Sequence, residues 1–256
     1  MVITTSSAPN VQNLAEHVRP YAASSAGKKQ QVEEMFDNIS PKYDLLNHSL
    51  TLGIDFLWRK KAVKSLRAIN PKIVLDIATG TGDFAVEAAR KLQPQRVIGI
   101  DISEGMLEVG RRKMQKKGIA DTVEMVKGDS EDLHYPDGFA DAVTVGFGVR
   151  NFEHLQKGLS EIHRVLRPGG VCVILEPSFP RHFPLKQLFQ FYFTKILPLI
   201  GRLVSRDKAA YTYLPSSVKA FPSGEEFLEI CRSVGFKETK WQQLTLGACA
   251  MYRLEK

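Results

Sequence analysis

The stretch of sequence that decides the fold is Val74-Leu75-Asp76-Ile77-Ala78-Thr79-Gly80-Thr81-Gly82-Asp83. It begins with apolar residues typical of a buried strand, and a helical pattern of apolar residues follows from Phe84. Glycine adopts positive φ angles easily, and its missing side chain lets a ligand approach the backbone. The N–H groups at the start of the next helix can donate hydrogen bonds to such a ligand. The stretch therefore predicts a strand, a glycine turn and a helix that bind a ligand at one edge of a parallel sheet.

The glycine turn alone leaves the type of ligand open. Gly80, Gly82 and Ala85 also fit the relaxed fingerprint of dinucleotide-binding proteins. A second strand over residues 96–101 ends in Asp101, and a carboxylate at this place suits the two hydroxyls of a ribose. Since NAD sites use the same arrangement, these features predict a cofactor that contains adenosine but do not choose among such cofactors.

The strands farther along the chain favour a cofactor other than NAD. A third strand over 123–126 leads into Gly128-Asp129-Ser130, and a fourth over 141–148 ends in small residues. A helical pattern then ends near Arg164-Val165-Leu166-Arg167-Pro168-Gly169-Gly170, before a fifth strand over 171–176. In this order the motifs resemble the class I methyltransferases that use S-adenosyl-L-methionine. The resemblance implies a Rossmann-like α/β fold.

The alternation of strands and helices indicates how the chain is organised. From residue 73 to 176 it predicts a parallel sheet with helices on both faces. With two further strands near 236–244 and 247–254, the sheet is mostly parallel and seven-stranded. We expect a flexible N-terminus over 1–30 and, because 256 residues suffice for one large domain, a single methyltransferase domain over 31–256. That domain divides into a helical cap, 31–70, a cofactor-binding core, 71–180, an apolar helical insert that faces substrate or membrane, 181–223, and a C-terminal helix with the last strands, 224–256.

Composition narrows the range of partners. The formal net charge is +7, which fits either a lysine-rich enzyme surface or attraction to an anionic lipid. No arginine-rich tract interleaved with aromatic residues is present, so we expect no nucleic acid partner. The three cysteines form no C-x-x-C pair and the six histidines no H-x-x-x-H pair. We therefore expect no disulfide framework and no bound metal.

Four local motifs point to one family within the methyltransferases. They are Phe36-Asp37-x-Ile39-Ser40-x-Lys42-Tyr43-Asp44-x-Leu46-Asn47, Phe147-Gly148-Val149-Arg150-Asn151, Leu175-Glu176-Pro177-Ser178-Phe179-Pro180 and Tyr213-Leu214-Pro215-x-Ser217-x-x-x-Phe221-Pro222-Ser223. From about residue 30 to the C-terminus, the chain resembles the ubiquinone/menaquinone-biosynthesis C-methyltransferases. It departs from their pattern at Pro177, where the family usually has phenylalanine, and at its C-terminus, which lacks the common histidine-containing ending.

This resemblance implies an activity and a location. The expected reaction transfers a methyl group from S-adenosyl-L-methionine to a ring carbon of a polyprenylated quinol, converting demethylmenaquinol to menaquinol. The methoxy-benzoquinol precursor of ubiquinone, or another lipid or small molecule such as a sterol, is the alternative acceptor. A protein of this fold that binds a partner without catalysis is a second class of function. We expect a cytoplasmic enzyme that is peripheral at the inner face of the cytoplasmic membrane.

The resemblance also implies which residues hold the cofactor. They come from the glycine turn and the following strand ends, and are Asp76, Gly80, Thr81, Gly82, Asp101, Asp129, Ser130 and Gly146. For Asp76 two roles are open, either positioning the glycine turn or contact with the amino group of the cofactor. Asp129 and Ser130 either contact the adenine or form a simple turn, and the resemblance favours the adenine.

The candidates for catalysis are Arg150, Asn151 and Tyr43. Attack by a ring carbon on a sulfonium needs an electron-rich ring, so the enzyme has to help remove or stabilise a phenolic proton. The Arg150 guanidinium would stabilise a phenolate, and the alternative is an ion pair of Arg150 with Glu153 or Asp44. Asn151 either bonds a quinol oxygen or caps the helix that begins near Glu153. Tyr43 either orients the quinol and encloses the cofactor or only packs the cap.

The predictions about the prenyl tail of the substrate concern the insert. Residues 183–204 contain more large apolar side chains than one narrow helical stripe needs. They form either a core helix or a tunnel wall and lid for a prenyl tail that faces the membrane, and we favour the second. The expected partners are thus a polyprenylated quinol and, transiently, the membrane surface, and a homodimer is left open.

Overall fold

The computed structural model describes residues 17–180, 183–184, 186–187, 191 and 209–256. Its sheet has seven strands in the order β3-β2-β1-β4-β5-β7-β6, where β7 is antiparallel to both of its neighbours and the remaining pairs are parallel. The strands are β1 Ile73–Ile77, β2 Arg96–Asp101, β3 Val123–Lys127, β4 Ala140–Gly146, β5 Leu166–Pro177, β6 Glu238–Leu244 and β7 Cys249–Glu255. The predicted Rossmann-like, mostly parallel seven-stranded sheet is confirmed.

Helices cover both faces of the sheet. In the described residues they are α1 Lys28–Ile39, α2 Tyr43–Leu50, α3 Asp55–Ser65, α4 Asp83–Leu92, α5 Glu104–Lys116, α6 Leu155–Val165, α7 Ala209–Ala220 and α8 Glu225–Ser233. Successive side chains of a strand point to opposite faces. Leu75 and Ile77 of β1 accordingly pack with α6 and α8 in one buried cluster, and Val74 packs with α3, α4 and α5 in the other.

Several strand boundaries differ from those expected from sequence, and those of β4 and β5 have a clear structural reason. β4 ends at Gly146 because Phe147 has a positive φ of 62° and a short 3-10 helix, Val149–Asn151, follows. β5 begins at Leu166, directly after α6, with a register shift against β4 between Ala140 and Ala142. The turn after Gly146 is the one that leads to the predicted catalytic residues Arg150 and Asn151, whereas the register shift is at the other end of β4.

The ordered cap begins inside the segment predicted to be flexible. Helix α1 starts at Lys28, which is fully buried and donates from Nζ to the backbone oxygens of Arg150 (3.1 Å) and Phe152 (2.8 Å). These bonds fix the cap to the chain that follows β4. Residues 1–16 are outside the described part, so flexibility there stays a prediction.

Most of the predicted insert also lies outside the described residues. The choice between lid, tunnel wall and core for residues 183–204 therefore stays a prediction, although α7 near the end of the insert is described. Within the described chain, no helix combines the length and the hydropathy needed to cross a membrane.

Candidate active site

A cavity lies where β1, β2, β3 and β4 end, beneath α1, and we call it the strand-end cavity. Its wall includes Lys29, Val32, Phe36, Tyr43, Gly80, Asp101, Ile102, Met106, Asp129, Ser130, Gly146, Phe147 and Asn151. The structure thus brings together five of the predicted cofactor residues, namely Gly80, Asp101, Asp129, Ser130 and Gly146. Among the described residues, Asp76, Thr81 and Gly82 are not part of this wall.

The carboxylate of Asp101 is held firmly at the wall of the strand-end cavity. Its Oδ2 accepts the N–H of Gly80 (2.7 Å), and its Oδ1 accepts the N–H of Ser103 (2.9 Å). Burial raises the pKa of Asp101 to about 6, although the hydrogen bonds from Ser103 and Gly80 lower it. Gly80 has a φ of +56°, and a side chain there would start 3.9 Å from Tyr43 Cε1, in the space between turn and cap. An acceptor oriented in this way suits the hydroxyls of a ribose.

Asp76 holds the glycine turn in place through buried hydrogen bonds. It is fully buried, and it accepts hydrogen bonds from the Thr144 hydroxyl (2.6 Å), the Thr79 hydroxyl and the N–H of Ala85 (3.1 Å). Burial raises the pKa of Asp76 to about 6. Of the two roles left open by the sequence, this geometry supports positioning of the turn.

Thr81 and Gly82 contact side chains of the cap and of α5. The Thr81 hydroxyl donates to Asp44 and accepts from Lys113 Nζ (2.9 Å). At Gly82, with a φ of +83°, a Cβ would lie 2.4 Å from Met114 Cε, so this glycine permits close packing against α5. Direct contact of these two residues with the cofactor stays a prediction.

Asp129 and Ser130 follow β3 and Gly146 ends β4, so they line the wall at the two ends of the row of strands β3-β2-β1-β4. Asp129 pairs with Lys29 Nζ of α1 at 2.6 Å, and its Oδ1 accepts the N–H of Glu131 at 2.9 Å. A Cβ on Gly146 would lie 3.0 Å from Phe84 Cδ1, so the strand end has little room for a larger residue. The contact of Lys29 with Asp129 could not be predicted from the sequence, because nothing local to α1 indicates that Lys29 reaches the end of β3.

A network of charged side chains, which we call the cap clamp, ties α2 to the glycine turn. Lys113 Nζ lies 2.6 Å from Asp44 Oδ2 and 2.8 Å from Asp83 Oδ1. His48 contacts Asp83 through Nε2 (3.3 Å) and Asp55 through Nδ1 (2.8 Å). Asp44, His48 and Asp83 have the spacing of a metal site. The ammonium group of Lys113 already provides positive charge between the two carboxylates.

A second and larger cavity opens under the cap, and we call it the cap cavity. Its volume is about 350 Å³. It is lined mainly by apolar side chains and a few polar ones, including Met35, Phe36, Ile39, Tyr43, Leu46, Asn47, Leu50, Leu52, Ile54, Trp58, Phe147, Arg150, Pro177, Tyr213, Leu214 and Ala248. Phe36, Tyr43 and Phe147 line both cavities. The two cavities therefore adjoin across these three aromatic residues.

Arg150 is the only arginine or lysine in the described wall of the cap cavity. It is buried, and its Nη1 donates to Glu176 Oε2 (3.1 Å) and to the backbone oxygen of Phe147. Burial raises the pKa of Glu176, whereas the Arg150 charge lowers it. The ion pair expected with Glu153 or Asp44 is wrong, because the partner is Glu176, on the strand next to β4. Among the described residues Arg150 Nε has no hydrogen-bond partner.

Asn151 does not cap a helix. Helix α6 begins at Leu155, and the N–H groups of Glu153 (2.7 Å) and His154 (3.0 Å) are accepted by Glu131 Oε1. The predicted capping role is therefore wrong, since an acidic side chain from elsewhere takes this place. Asn151 instead accepts the Tyr213 hydroxyl through Oδ1 (3.1 Å), which links the strand-end cavity to α7.

Tyr43 lies between the two cavities. It is half-buried, and burial raises its pKa to about 12, although the charges of Arg150 and Arg59 lower it. The phenol is therefore protonated near neutral pH and is a hydrogen-bond donor to whatever enters either cavity. Its ring contacts Phe36 edge to face at 6.1 Å.

The fold and the cavity at its strand ends define a class I S-adenosyl-L-methionine-dependent methyltransferase. A Thermotoga maritima structure described as a methyltransferase of this kind, possibly acting on histamine, superposes with a TM-score of 0.59. It is 22% identical, and the match covers 87% of this chain and 99% of that one. The cyclase SpnF superposes with a TM-score of 0.64 at 18% identity, over 89% and 96% of the two chains. At these identities the likeness concerns the fold.

The chain belongs to the ubiE/COQ5 methyltransferase family, whose model matches residues 24–256. The demethylmenaquinone methyltransferase of Bacteroides fragilis is 49% identical over 242 residues, which cover 94% of this chain and 98% of the relative. The ubiquinone/menaquinone biosynthesis C-methyltransferase UbiE of Geobacter sulfurreducens is 45% identical over 230 residues, 90% of each chain. The predicted family and enzyme class are confirmed.

S-adenosyl-L-methionine is therefore the cofactor, as the sequence predicts. The residues present fit it. The oriented Asp101 carboxylate suits the ribose, the open space in front of Gly80 admits a ligand, and Asp129 and Ser130 lie in the same wall. The apolar part of this wall could not be predicted from the sequence, because Phe36 and Met106 lie on helices whose orientation only the tertiary structure defines.

Proposed function

We propose that this protein methylates a ring carbon of a polyprenylated naphthoquinol, converting demethylmenaquinol to menaquinol. One observation carries the proposal. The large apolar cap cavity adjoins the strand-end cavity and contains a buried guanidinium, that of Arg150. An aromatic acceptor with an apolar tail matches this combination of volume, apolar lining and localised positive charge. The names of the relatives from Bacteroides fragilis and Porphyromonas gingivalis, both demethylmenaquinone methyltransferases, support the naphthoquinol ring.

The chemistry follows from the two cavities. When bound, S-adenosyl-L-methionine supplies an electrophilic methyl group. Arg150 faces the acceptor from the cap cavity and stabilises negative charge on a quinol oxygen, which makes the ring carbon more nucleophilic. Arginine stays protonated, so it acts by electrostatic stabilisation and not as the base. Tyr43, protonated and placed between the cavities, donates a hydrogen bond, while Phe36 and Phe147 help to exclude water from the junction.

The alternative acceptor within the family is the benzoquinol precursor of ubiquinone. The name of the Geobacter sulfurreducens relative covers both quinones. Mass-spectrometric profiling of quinones from the source cell, with and without the gene, distinguishes the two acceptors. We expect demethylmenaquinone to accumulate in the deletion strain and to disappear on complementation. An unchanged menaquinone pool, or accumulation of an unmethylated benzoquinone alone, would refute the naphthoquinol assignment.

We further propose that the enzyme contacts the cytoplasmic face of the membrane through the mouth of the cap cavity. Large apolar side chains are exposed on the cap and on the turn after β6, at Leu45, Leu52, Phe56, Leu57 and Leu246. Trp58 Nε1 donates to Thr245 Oγ1 at 2.7 Å, which holds this turn beside α3. Lys60, Lys61 and Lys64 are exposed on α3, the helix that carries Phe56 and Leu57, and their charges complement anionic headgroups.

Sedimentation with vesicles of anionic and of neutral lipid tests this contact. We expect binding to anionic vesicles that weakens with added salt. The triple variant Leu45→Ser, Leu57→Ser, Leu246→Ser should bind them less while its thermal stability is unchanged, because these side chains are exposed. A matched triple change of exposed polar residues, Ser49→Ala, Gln115→Ala, Asn38→Ala, should bind like the wild type. Unchanged vesicle binding of the leucine variant would contradict the proposal, and a loss of self-association instead would assign this surface to a homodimer.

A further inference from the structure

We propose that Asn47 is the second polar anchor of the acceptor ring, donating a hydrogen bond from its side-chain amide to a ring oxygen. This inference rests on the proposed quinol acceptor and adds a residue that decides how the ring is held. Asn47 lies on α2, within the wall of the cap cavity. Its Nδ2 is buried and, in the part of the chain that the structure describes, has no hydrogen-bond partner.

An unpartnered amide in an apolar wall is unfavourable in the free protein. Burying a polar group without a hydrogen bond costs stability, and an apolar side chain of similar size would avoid that cost. The neighbours of Asn47 in the wall, including Leu46, Leu50 and Ile54, are apolar. Its own backbone oxygen accepts the N–H and the hydroxyl of Thr51, so α2 ends normally without the side-chain amide. The amide therefore has no evident task in the fold. Nδ2 itself has almost no accessible surface, and a half-turn of the amide, which exchanges Nδ2 with Oδ1, would present the N–H groups to a ligand.

Asn47 shares its surface of α2 with Tyr43. The two residues are four positions apart, which places them on the same side of a helix, and both line the cap cavity. Tyr43 also reaches the strand-end cavity. A ring that contacts Asn47 is thereby held in the cavity that adjoins the site of the methyl donor.

Two side chains of the cavity wall, each with a buried nitrogen that has no partner among the described residues, match the two oxygens of a quinol. Besides Asn47 Nδ2, the buried Nε of Arg150 has no partner among the described residues. Arg150 comes from the chain after β4 and Asn47 from the cap, so they are on different elements of the cavity wall. The charged guanidinium suits the oxygen that becomes negative, and the neutral amide suits the oxygen that remains a hydroxyl. Holding both oxygens would determine which ring carbon faces the methyl donor.

Asn47→Leu tests the inference by moving stability and acceptor binding in opposite directions. The variant should melt at the same temperature as the wild type or higher, because an unsatisfied buried amide is replaced by an apolar group. Its Kd for a short-chain naphthoquinol, measured by calorimetry with S-adenosylhomocysteine present, should rise by about tenfold for the loss of one hydrogen bond. The Kd for S-adenosylhomocysteine itself should not change.

A naphthol that lacks one of the two ring hydroxyls provides the specific readout. The wild type should prefer the naphthoquinol over this analogue, and Asn47→Leu should lose about that same tenfold preference. Asn38→Leu, an exposed position of α1, is the matched control and should keep the wild-type preference. A lower melting temperature of both Asn47→Leu and Asn47→Ala, or equal weakening for both acceptors, would overturn the inference. Failure of the wild type to bind or methylate any naphthoquinol would instead refute the proposed function from which it starts.

Discussion

At the scale of single residues, two buried charges define the site. Asp101 is fixed by the N–H groups of Gly80 and Ser103, and Arg150 is fixed by Glu176 and the backbone of Phe147. Both side chains are oriented before any ligand arrives, so binding does not have to order them. The Asp101 carboxylate is oriented to accept hydrogen bonds from hydroxyl groups in the strand-end cavity. The Arg150 guanidinium provides positive charge at the cap cavity.

Asp101→Ala should weaken the binding of S-adenosyl-L-methionine about ten- to a hundredfold, since hydrogen bonds to a charged group are worth about 1.5–3 kcal/mol. Calorimetric titration of the folded variant measures this. Asp121→Ala, an exposed aspartate before β3, should bind like the wild type. If Asp101→Ala binds the cofactor with unchanged affinity, the assignment of Asp101 to the ribose is wrong.

Removing Arg150 alone would leave Glu176 as a buried carboxylate without its charged partner, which is strongly destabilising. The double variant Arg150→Met, Glu176→Gln removes both charges and should therefore fold. We expect its turnover to fall by about 10²–10³ with cofactor affinity nearly intact, as for the loss of one oxyanion-stabilising donor. Single-turnover assays beside thermal melts measure both properties. Near-normal turnover in this double variant would show that Arg150 is only structural.

At the scale of elements, the cap clamp joins α2 and α3 to α4 and α5. His48 is at its centre, where the hydrogen bond to Asp83 is the largest influence on its pKa and raises it above the ordinary 6.5, with further raising by Asp55. The same contact with His48, together with Lys113 and Arg59, holds the pKa of Asp83 well below its usual range. The part of the clamp that His48 provides thus depends on the protonation of this histidine, whereas the ion pairs of Lys113 do not.

The clamp predicts a pH dependence of stability. Because the folded-state pKa of His48 is raised, its contribution is fully present below about 6.5, the unfolded value, and is lost as pH rises through the folded value. In His48→Gln the melting temperature should lose this dependence, so wild type and variant converge at higher pH. His134→Gln, at an exposed position, is the matched control and should follow the wild-type curve. Parallel curves for wild type and His48→Gln would contradict the role of the clamp.

The sequence predicted elements and motifs better than contacts between them. The strand, glycine turn and helix around Gly80 follow from local pattern, and so does the carboxylate at the end of β2. The pairing of Arg150 with Glu176 depends on β4 and β5 being neighbours, which sequence spacing does not specify. The burial of Lys28 beneath the chain after β4 breaks the usual rule for lysine and had no local signal.

At the scale of the whole molecule, the sheet and the cap have different roles in forming the two cavities. The sheet places the strand-end cavity at its carboxyl edge, as parallel sheets of this kind do. The cap, with α7, encloses an apolar cavity that adjoins the strand-end cavity across Phe36, Tyr43 and Phe147. A water-soluble cofactor and an apolar acceptor can thereby meet in one molecule, each in its own cavity.

The most direct test of this account is methyl transfer by the purified protein. It would receive S-adenosyl-L-methionine with an isotopically labelled methyl group and a chemically reduced, short-chain demethylmenaquinone, and the product would be analysed by mass spectrometry and NMR. The proposed reaction predicts that the label appears on a ring carbon of the naphthoquinol, and that the oxidised quinone is not methylated because its ring is electron-poor. Absence of labelled product, or a label on a ring oxygen, would contradict it.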